Sequence, residues 1–303
     1  DVTQAMQQSG IAIDFDQSKQ RLPEKCDLVV ASAAVKPDHP QMLEADRRGI
    51  PTLLYAQALG KSMIGQTGIA VAGTHGKSTT TAMLGCALTD AGLNPSVIVG
   101  ATCGQLGNGA LKPRSAATGF RLGANSIPVG TLAGSPGILV AEACEYNRSF
   151  HNFNPAIACV LNLEADHLDV YVTLDAVVES FRQFAALLPS AAQGGKLLIA
   201  HDGAHRREIT AGLDCQVETI GFSPAADWVV GYDAPTRQVT LSKRGAIIAQ
   251  WGNTLAGAHN ASNAAAAYVL ASYVGADPAL AAQSLSKFAG ADRRMQFLGE
   301  RAV

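Results

Sequence analysis

The segment IAVAGTHGKSTTTAML has the residue types and order of a phosphate-binding loop. An apolar run leads into GTHGKS at residues 73–78, and a helical pattern begins at once. Two glycines let consecutive backbone N–H groups and the helix N-terminus face one anion, Lys77 offers charge to terminal phosphates, and Ser78 offers a hydroxyl to Mg²⁺. Val71 stands where the full pattern has glycine, so the motif is a variant. The alternative interpretation is a tight turn with an incidental lysine.

Acidic side chains follow two other apolar runs that have the character of buried strands. Glu142 and Glu145 stand at and just after the run ILVAE, and the run IACVLN precedes four potential metal ligands, Glu164, Asp166, His167 and Asp169. Open parallel sheets bring the carboxyl ends of their strands to one edge, where ligands bind. Carboxylate and neutral imidazole suit a divalent metal. Each group alone could be a solvated surface cluster, but the three strand ends together favour a phosphate and metal site.

Polar residues near the C-terminus form two further candidates. His259, Asn260 and Asn263 precede or open an Ala-rich helix, and the three-residue spacing of the asparagines puts them on one face. An asparagine here is either an N-cap or a ligand contact. Arg293 and Arg294 follow a glycine-containing bend. They are either surface charges or partners for phosphate, which guanidinium groups bind well.

Strands and helices that alternate along the chain would position these groups. Strands are predicted at residues 11–15, 27–32, 69–72, 96–100, 138–142, 156–161 and 196–200, and helices at 40–48, 78–91, 174–188 and 203–211. Such repetition indicates a parallel sheet. After Gln216, short alternating runs predict an antiparallel meander at 228–250, followed by two Ala-rich helices. Residues 60–68 are predicted as a linker, and residues 104–137 as a long loop that is functional or mobile.

The composition excludes several classes of protein. The chain has 303 residues, a net charge of −2 and 16% charged residues, which argues against nucleic-acid and membrane-surface binding because both need concentrated positive charge. Six cysteines without a C-x-x-C pair indicate buried thiols rather than disulfides or a zinc site. The most apolar stretch, residues 264–276, is too short to cross a bilayer, and the given residues contain no basic-then-apolar pattern that would predict a signal peptide.

In order and spacing, these segments together resemble the Mur ligase family, ATP-dependent enzymes that add amino acids to the peptidoglycan precursor. The resemblance extends over nearly the whole chain. The form GTHGK, where most branches have GTNGK, and the segment DLVVASAAVKPDHPQMLEADRRGIPTL resemble the branch that acts on UDP-N-acetylmuramate. No lysine occurs between His167 and Lys196, so the carbamylated lysine of several other branches has no counterpart, as expected for this branch.

Carried over by position, the resemblance implies roles for individual residues. Lys77 would contact the γ-phosphate of ATP and act with His167 in catalysis. The Mg²⁺ ligands would be Ser78, Glu142 and His167. The nucleotide would be bound by a larger set, Gly73, Thr74, His75, Gly76, Lys77, Ser78, Thr79, Asn260, Asn263 and Arg294. Ser78 replaces the commoner threonine, and EACEYNRSF stands where many members have EADESDASF, which leaves the role of Glu145 open.

The resemblance also implies an α/β fold in two parts. A partial Rossmann-like N-terminal domain, which binds the uridine-nucleotide substrate, would occupy residues 1–65. A P-loop-type central ATPase domain, with a mostly parallel sheet and a small antiparallel meander, would occupy 66–298, and 299–303 would begin a linker to a C-terminal domain. On this interpretation the chain is a fragment that lacks the start of the first domain and all of the third. It should bind ATP weakly and ligate nothing by itself.

The implied reaction joins L-alanine to the carboxylate of UDP-N-acetylmuramate through an acyl phosphate, in the cytoplasm, for peptidoglycan precursor synthesis. Neither a nucleic acid nor a membrane is expected as a partner. Two alternatives stay open. One is ligation of a recycled tripeptide in place of L-alanine, and the other is a non-catalytic nucleotide-binding module. Lys77 is expected to be exposed, so Lys77→Ala should abolish turnover and leave the fold intact.

Overall fold

The computed structural model describes residues 21–113, 117–164 and 171–291, together with residues 3, 6, 7, 10–16 and 18. The chain divides into two compact units, at residues 1–62 and 63–303. None of the helices in the described ranges is long and apolar enough to span a membrane.

The first unit contains two short parallel strands and the helices that follow them. Its elements are β1 (Val29–Ala31), α1 (Pro40–Arg47), β2 (Thr52–Leu54) and α2 (Tyr55–Met63), the last of which ends at the unit boundary. Helix α1 begins where expected because Pro40 occupies its first turn and the His39 ring accepts a hydrogen bond from the Gln41 N–H.

Two predictions in this region are wrong. Residues 11–15 form no strand, and Phe15 is 72% exposed. An apolar run needs a partner strand to satisfy its backbone, and β1 pairs with β2 instead. The division between the two units falls inside the predicted linker at 60–68, but the segment is largely helix and strand rather than irregular, since α2 continues to Met63 and buries Leu59.

The second unit is built on a sheet that has ten strands among the described residues, in the order β12-β11-β10-β9-β8-β7-β3-β6-β4-β5. The strands are β3 (Thr67–Ala72), β4 (Ser96–Cys103), β5 (Thr118–Arg121), β6 (Ile138–Glu142), β7 (Ile157–Val160), β8 (Lys196–Ala200), β9 (Gln216–Gly221), β10 (Trp228–Asp233), β11 (Gln238–Lys243) and β12 (Ala246–Gly252). Strands β4, β6, β3 and β7 to β10 run parallel, and β10 to β12 form the predicted antiparallel meander.

Helices cover the sheet and connect its strands. They are α3 (Lys77–Asp90), α4 (Leu174–Ala185), α5 (Arg206–Thr210), α6 (Ala258–Tyr273) and α7 (Pro278–Lys287). Helix α3 packs against β4, α6 and α7, so its residues from Ser78 to Leu88 are all buried. Burial on every side explains why this helix consists mostly of small residues and carries no polar stripe.

The segment predicted as a long loop is partly ordered into a strand. Strand β5 pairs antiparallel with β4 at the edge of the sheet. The Asp90 carboxylate at the end of α3 accepts hydrogen bonds from the Ala110 N–H at 2.8 Å and the Ser284 hydroxyl at 2.6 Å. The start of the segment is therefore attached to α3 and α7.

The cysteines are free thiols, and the prediction that they are buried holds for four of the six. Cys26 is half-buried and Cys144 is exposed. Burial raises the pKa of the Cys159 thiol well above its ordinary value, as expected for a small apolar core residue.

Candidate functional site

The loop between β3 and α3 has a backbone that only glycine can adopt at two positions. Gly73 and Gly76 have φ of 136° and 85°. A Cβ atom on Gly76 would lie 2.5 Å from Oδ1 of Asn263, and one on Gly73 would lie 3.1 Å from the backbone of Asn162. These glycines let the chain turn sharply from the strand into the helix, whose first N–H groups have no acceptor within the helix. The loop can therefore present those donors to an anion.

Asn162, two residues after the end of β7, fixes the shape of this loop. Its side-chain carbonyl accepts the His75 N–H at 2.7 Å, its amide donates to the His75 carbonyl at 2.9 Å, and its backbone carbonyl accepts the Thr74 N–H at 3.2 Å. The sequence indicated Asn162 only as the polar end of a buried strand. Its position after β7, the neighbour of β3 in the sheet, accounts for the contact.

Lys77 is partly buried, contrary to the expectation that it is exposed. Its side chain is 12% exposed, and its ammonium group donates to the carbonyls of Gly73 and Thr74 at 2.6 and 3.1 Å. The same group lies 3.0 and 2.9 Å from the two carboxylate oxygens of Glu145, a side chain that is 3% exposed. Glu145, whose role the sequence left open, is thus the ion-pair partner of the loop lysine.

Ser78 and Glu142 meet at the carboxyl end of β6. The Ser78 hydroxyl donates to Oε1 of Glu142 at 3.0 Å, and the Gly100 N–H donates to Oε2 at 2.7 Å. Both groups are hard oxygen donors of the type that Mg²⁺ prefers, and they lie at the start of α3 where a bound phosphate would supply further oxygens. The pair therefore fits a partial Mg²⁺ site. In the described ranges, no group of three or more His, Cys, Asp or Glu residues could hold a metal.

A cavity of about 390 Å³ lies between the loop and the start of α6. It is lined by His75, Gly76, Ser78, Thr79, Asn162, Leu255, His259, Asn260 and Asn263. The Asn260 amide donates to the Ala256 carbonyl at 2.7 Å, which fixes the first turn of α6. This volume is within the usual range for small-ligand sites. Neither Lys77 nor Glu142 is among the lining residues.

The structure brings most of the predicted residues to one region, and five candidates lie outside the described residues, namely Asp166, His167, Asp169, Arg293 and Arg294. The loop, Ser78, Glu142 and the two asparagines lie at the carboxyl ends of β3 and β6 and at the start of α6. His167 and Arg294 fall outside the described residues, so their roles stay predictions. At the end of the described range 117–164, the exposed Glu164 carboxylate lies 3.6 Å from Nε2 of His75.

Family models match both parts of the chain. The model described as the Mur ligase middle domain matches residues 71–271. The model described as Mur ligase family, catalytic domain matches residues 1–67.

Curated relatives at 33–39% identity carry one name, UDP-N-acetylmuramate--L-alanine ligase. The protein of Paenarthrobacter aurescens is 39% identical over 89% of this chain and 55% of its own length. That of Agathobacter rectalis is 33% identical over 99% of this chain and 61% of its own length. The chain therefore spans somewhat more than half the length of these relatives.

Solved structures agree with the sequence matches. A murein peptide ligase from Psychrobacter arcticus has a TM-score of 0.81 at 26% identity, over 99% of this chain and 63% of that one. The UDP-N-acetylmuramate-alanine ligase from Thermotoga maritima, at 22% identity and a TM-score of 0.77, shares the fold over 99% of this chain and 63% of its own. With the family models matching most of its residues, the chain belongs to the Mur ligase family.

Proposed function

We propose that this chain binds ATP and activates the substrate in a ligase that joins L-alanine to the carboxylate of UDP-N-acetylmuramate. The observation that carries the proposal is the glycine loop, fixed by Asn162, which borders a cavity together with Asn260 and Asn263. The names of the curated relatives support alanine as the amino acid. We also propose a cytoplasmic location, since the reaction consumes ATP.

The chemistry proceeds in two steps. A carboxylate oxygen of the substrate attacks the γ-phosphorus of ATP, the bond to the β-phosphate oxygen breaks, and an acyl phosphate and ADP result. The amine of L-alanine then attacks the acyl carbon, loses a proton, and inorganic phosphate leaves. Because substrate and ATP are both anions, the first step requires positive charge and aligned N–H donors at the transferring group. The Lys77 ammonium and the N-terminus of α3 supply them in this proposal.

The remaining residues hold the reactants. Ser78 and Glu142 would hold Mg²⁺, which neutralises phosphate charge when it is bound. Asn260 and Asn263 would contact the nucleotide from the side of α6. His167 as a further metal ligand and Arg294 as a nucleotide contact follow from the sequence resemblance alone. We keep the domain limits 1–65, 66–298 and 299–303 as part of the proposal.

The proposal has a direct test in two stages. Calorimetric titration of the 303-residue chain with a non-hydrolysable ATP analogue should give weak binding that strengthens with Mg²⁺. Phosphate release should then be measured for the whole-length protein with UDP-N-acetylmuramate and either L-alanine or the tripeptide. Release that depends on L-alanine supports the proposal, whereas release that depends only on the tripeptide would assign the recycling reaction instead. Absence of nucleotide binding would refute the proposed function altogether.

A further inference from the structure

The ammonium group of Lys77 has one protein acceptor for each of its three hydrogens. It carries three N–H donors, and its acceptors are the carbonyls of Gly73 and Thr74 and the carboxylate of Glu145. The cavity beside the loop is lined by nine residues that do not include Lys77. A phosphate that accepts a hydrogen bond from Lys77 must therefore displace one of the three acceptors.

Of these acceptors, the Glu145 carboxylate is the one that a phosphate can replace. The two carbonyls belong to the loop backbone, which Asn162 holds at Thr74 and His75. The carboxylate belongs to a side chain with rotatable bonds and carries the negative charge that a phosphate would substitute. Exchange of one anion for another keeps the Lys77 ammonium neutralised. The cost that remains is that of moving the Glu145 carboxylate, which is 3% exposed, to water or to other donors.

The backbone of Glu145 is held in place while its side chain makes this contact. The Glu145 carbonyl accepts hydrogen bonds from the Arg148 N–H at 2.9 Å and from the Tyr171 hydroxyl. Asn147 and Arg148 both adopt left-handed backbone angles, with φ of 51° and 52°. Two successive non-glycine residues in this region are strained, and such strain persists where surrounding contacts enforce it.

Tyr171 is itself held by contacts to α4 and to residues near it. It is 2% exposed, and its hydroxyl lies 3.2 Å from Oγ of Ser180 on α4. The Ser180 hydroxyl lies 3.0 Å from Nε2 of His151, and the Arg148 guanidinium lies 5.5 Å from the centre of the Tyr171 ring. A continuous set of polar contacts thus runs from α4 to the loop lysine.

We propose that Glu145 is a positioning residue that binds Lys77 while no nucleotide is present and is displaced by the terminal phosphate when ATP binds. Tyr171 holds the backbone of Glu145 in place through its hydrogen bond to the Glu145 carbonyl. This inference rests on the proposed function, because it requires a nucleoside triphosphate in the cavity. It differs from a purely structural ion pair, because the contact competes with the ligand.

The test is the affinity of Glu145→Gln for nucleotides that differ in the number of phosphates, measured by calorimetry without Mg²⁺ on the 303-residue chain. The amide keeps the shape of the side chain and removes the charge that competes for Lys77. We expect the non-hydrolysable ATP analogue to bind about tenfold more tightly than to the unmutated chain. AMP, which lacks the terminal phosphates, should bind with unchanged affinity.

Two variants make the outcome specific. Tyr171→Phe should tighten binding of the analogue in the same direction but by less, since Glu145 keeps its backbone bond from Arg148. Glu164→Gln removes an exposed carboxylate near the same loop that lies beside His75 rather than Lys77. It should tighten binding clearly less than Glu145→Gln does. If Glu145→Gln does not fold, Glu145→Asp, which withdraws the carboxylate by one methylene, should show the tightening.

Several results would overturn the inference. If Glu145→Gln binds AMP as the unmutated chain does but binds the ATP analogue equally well or more weakly, the Glu145 carboxylate does not compete with phosphate for Lys77. Equal tightening by Glu164→Gln would mean that a general change in charge explains the effect. Unchanged binding by Tyr171→Phe would remove Tyr171 from the proposal. Failure of the unmutated chain to bind any nucleotide is a different result, since it refutes the proposed function instead.

Discussion

Two glutamates, the buried Glu145 and the partly buried Glu218, each pair with a lysine at 2.9 Å, yet the groups around the two pairs differ. Glu218 on β9 also accepts hydrogen bonds from the Trp228 indole at 2.6 Å and the Tyr273 hydroxyl at 2.8 Å. Its partner Lys243 lies 4.2 Å from the centre of the Trp228 ring. In contrast, the lysine of the Glu145 pair shares its hydrogens with the backbone of a glycine loop next to a cavity.

This difference separates a structural ion pair from one that can act on a ligand. Burial by itself would raise the pKa of Glu218, but hydrogen bonds from Trp228, Lys243 and Tyr273 outweigh burial and lower it. The Glu218 carboxylate thus joins β9, β10, β11 and α6 as a charged group. A Lys–Glu pair with little exposure to solvent is therefore informative about function only through its other neighbours.

Loss of Lys77 should have the largest effect. Lys77→Ala leaves the Glu145 carboxylate buried without its cation, which we expect to cost about 3–5 kcal/mol of unfolding free energy. This replaces the expectation of an intact fold, which assumed an exposed side chain. Binding of the ATP analogue should be lost as well. Urea unfolding and calorimetry measure the two effects.

A double substitution distinguishes the two consequences of that loss. Lys77→Met combined with Glu145→Leu removes both charges and should recover most of the stability without recovering nucleotide binding. If the midpoint of urea unfolding of Lys77→Ala equals that of the wild type, the ion pair contributes nothing to stability.

Two glycines with positive φ allow a matched comparison between the regions. Gly76 in the loop has φ of 85° and a Cβ position 2.5 Å from Asn263, whereas Gly245 in the meander has φ of 79° and open space around it. Gly245→Ala should cost about 1–2 kcal/mol from the backbone alone and leave nucleotide binding unchanged. Gly76→Ala should cost more and weaken nucleotide binding, because Asn263 must also move. If the two substitutions cost the same unfolding free energy and Gly76→Ala leaves nucleotide binding unchanged, the Asn263 side chain can move away from residue 76 without cost.

The smallest effect should appear at Glu218 and depend on pH. The folded-state pKa of Glu218 is lowered, so the charged form is stabilised by folding. That stability is present above the unfolded-state pKa of about 4.3 and is lost as the pH falls through the folded value. The difference in unfolding free energy between wild type and Glu218→Gln should therefore narrow from about pH 7 to about pH 3. Nucleotide affinity of Glu218→Gln should equal that of wild type, and a difference that stays constant with pH would contradict this account.

Local sequence patterns predicted much of this fold. Strands β6 and β8 have the predicted limits, α3 begins within one residue of its predicted start, and the meander lies where alternation predicted it. These elements can be predicted from local sequence because buried strands are apolar runs and a glycine loop leads directly into its helix. Strands β5 and β9 were not predicted. Strand β5 lies at a sheet edge in a glycine-rich segment, where its pairing with β4 rather than its composition makes it a strand.

The sequence by itself determined the glycine loop before α3, because the turn at GTHGKS is set by its two glycines and by the helix that follows. Only the tertiary structure decided which residues hold that loop. Asn162 lies 87 residues from His75, and Glu145 lies 68 residues from Lys77. Both reach the loop because the sheet places β3 between β6 and β7, an order that no local pattern encodes. The burial of Lys77 follows from the same neighbours, since an ammonium group leaves water only where carbonyls and a carboxylate replace it.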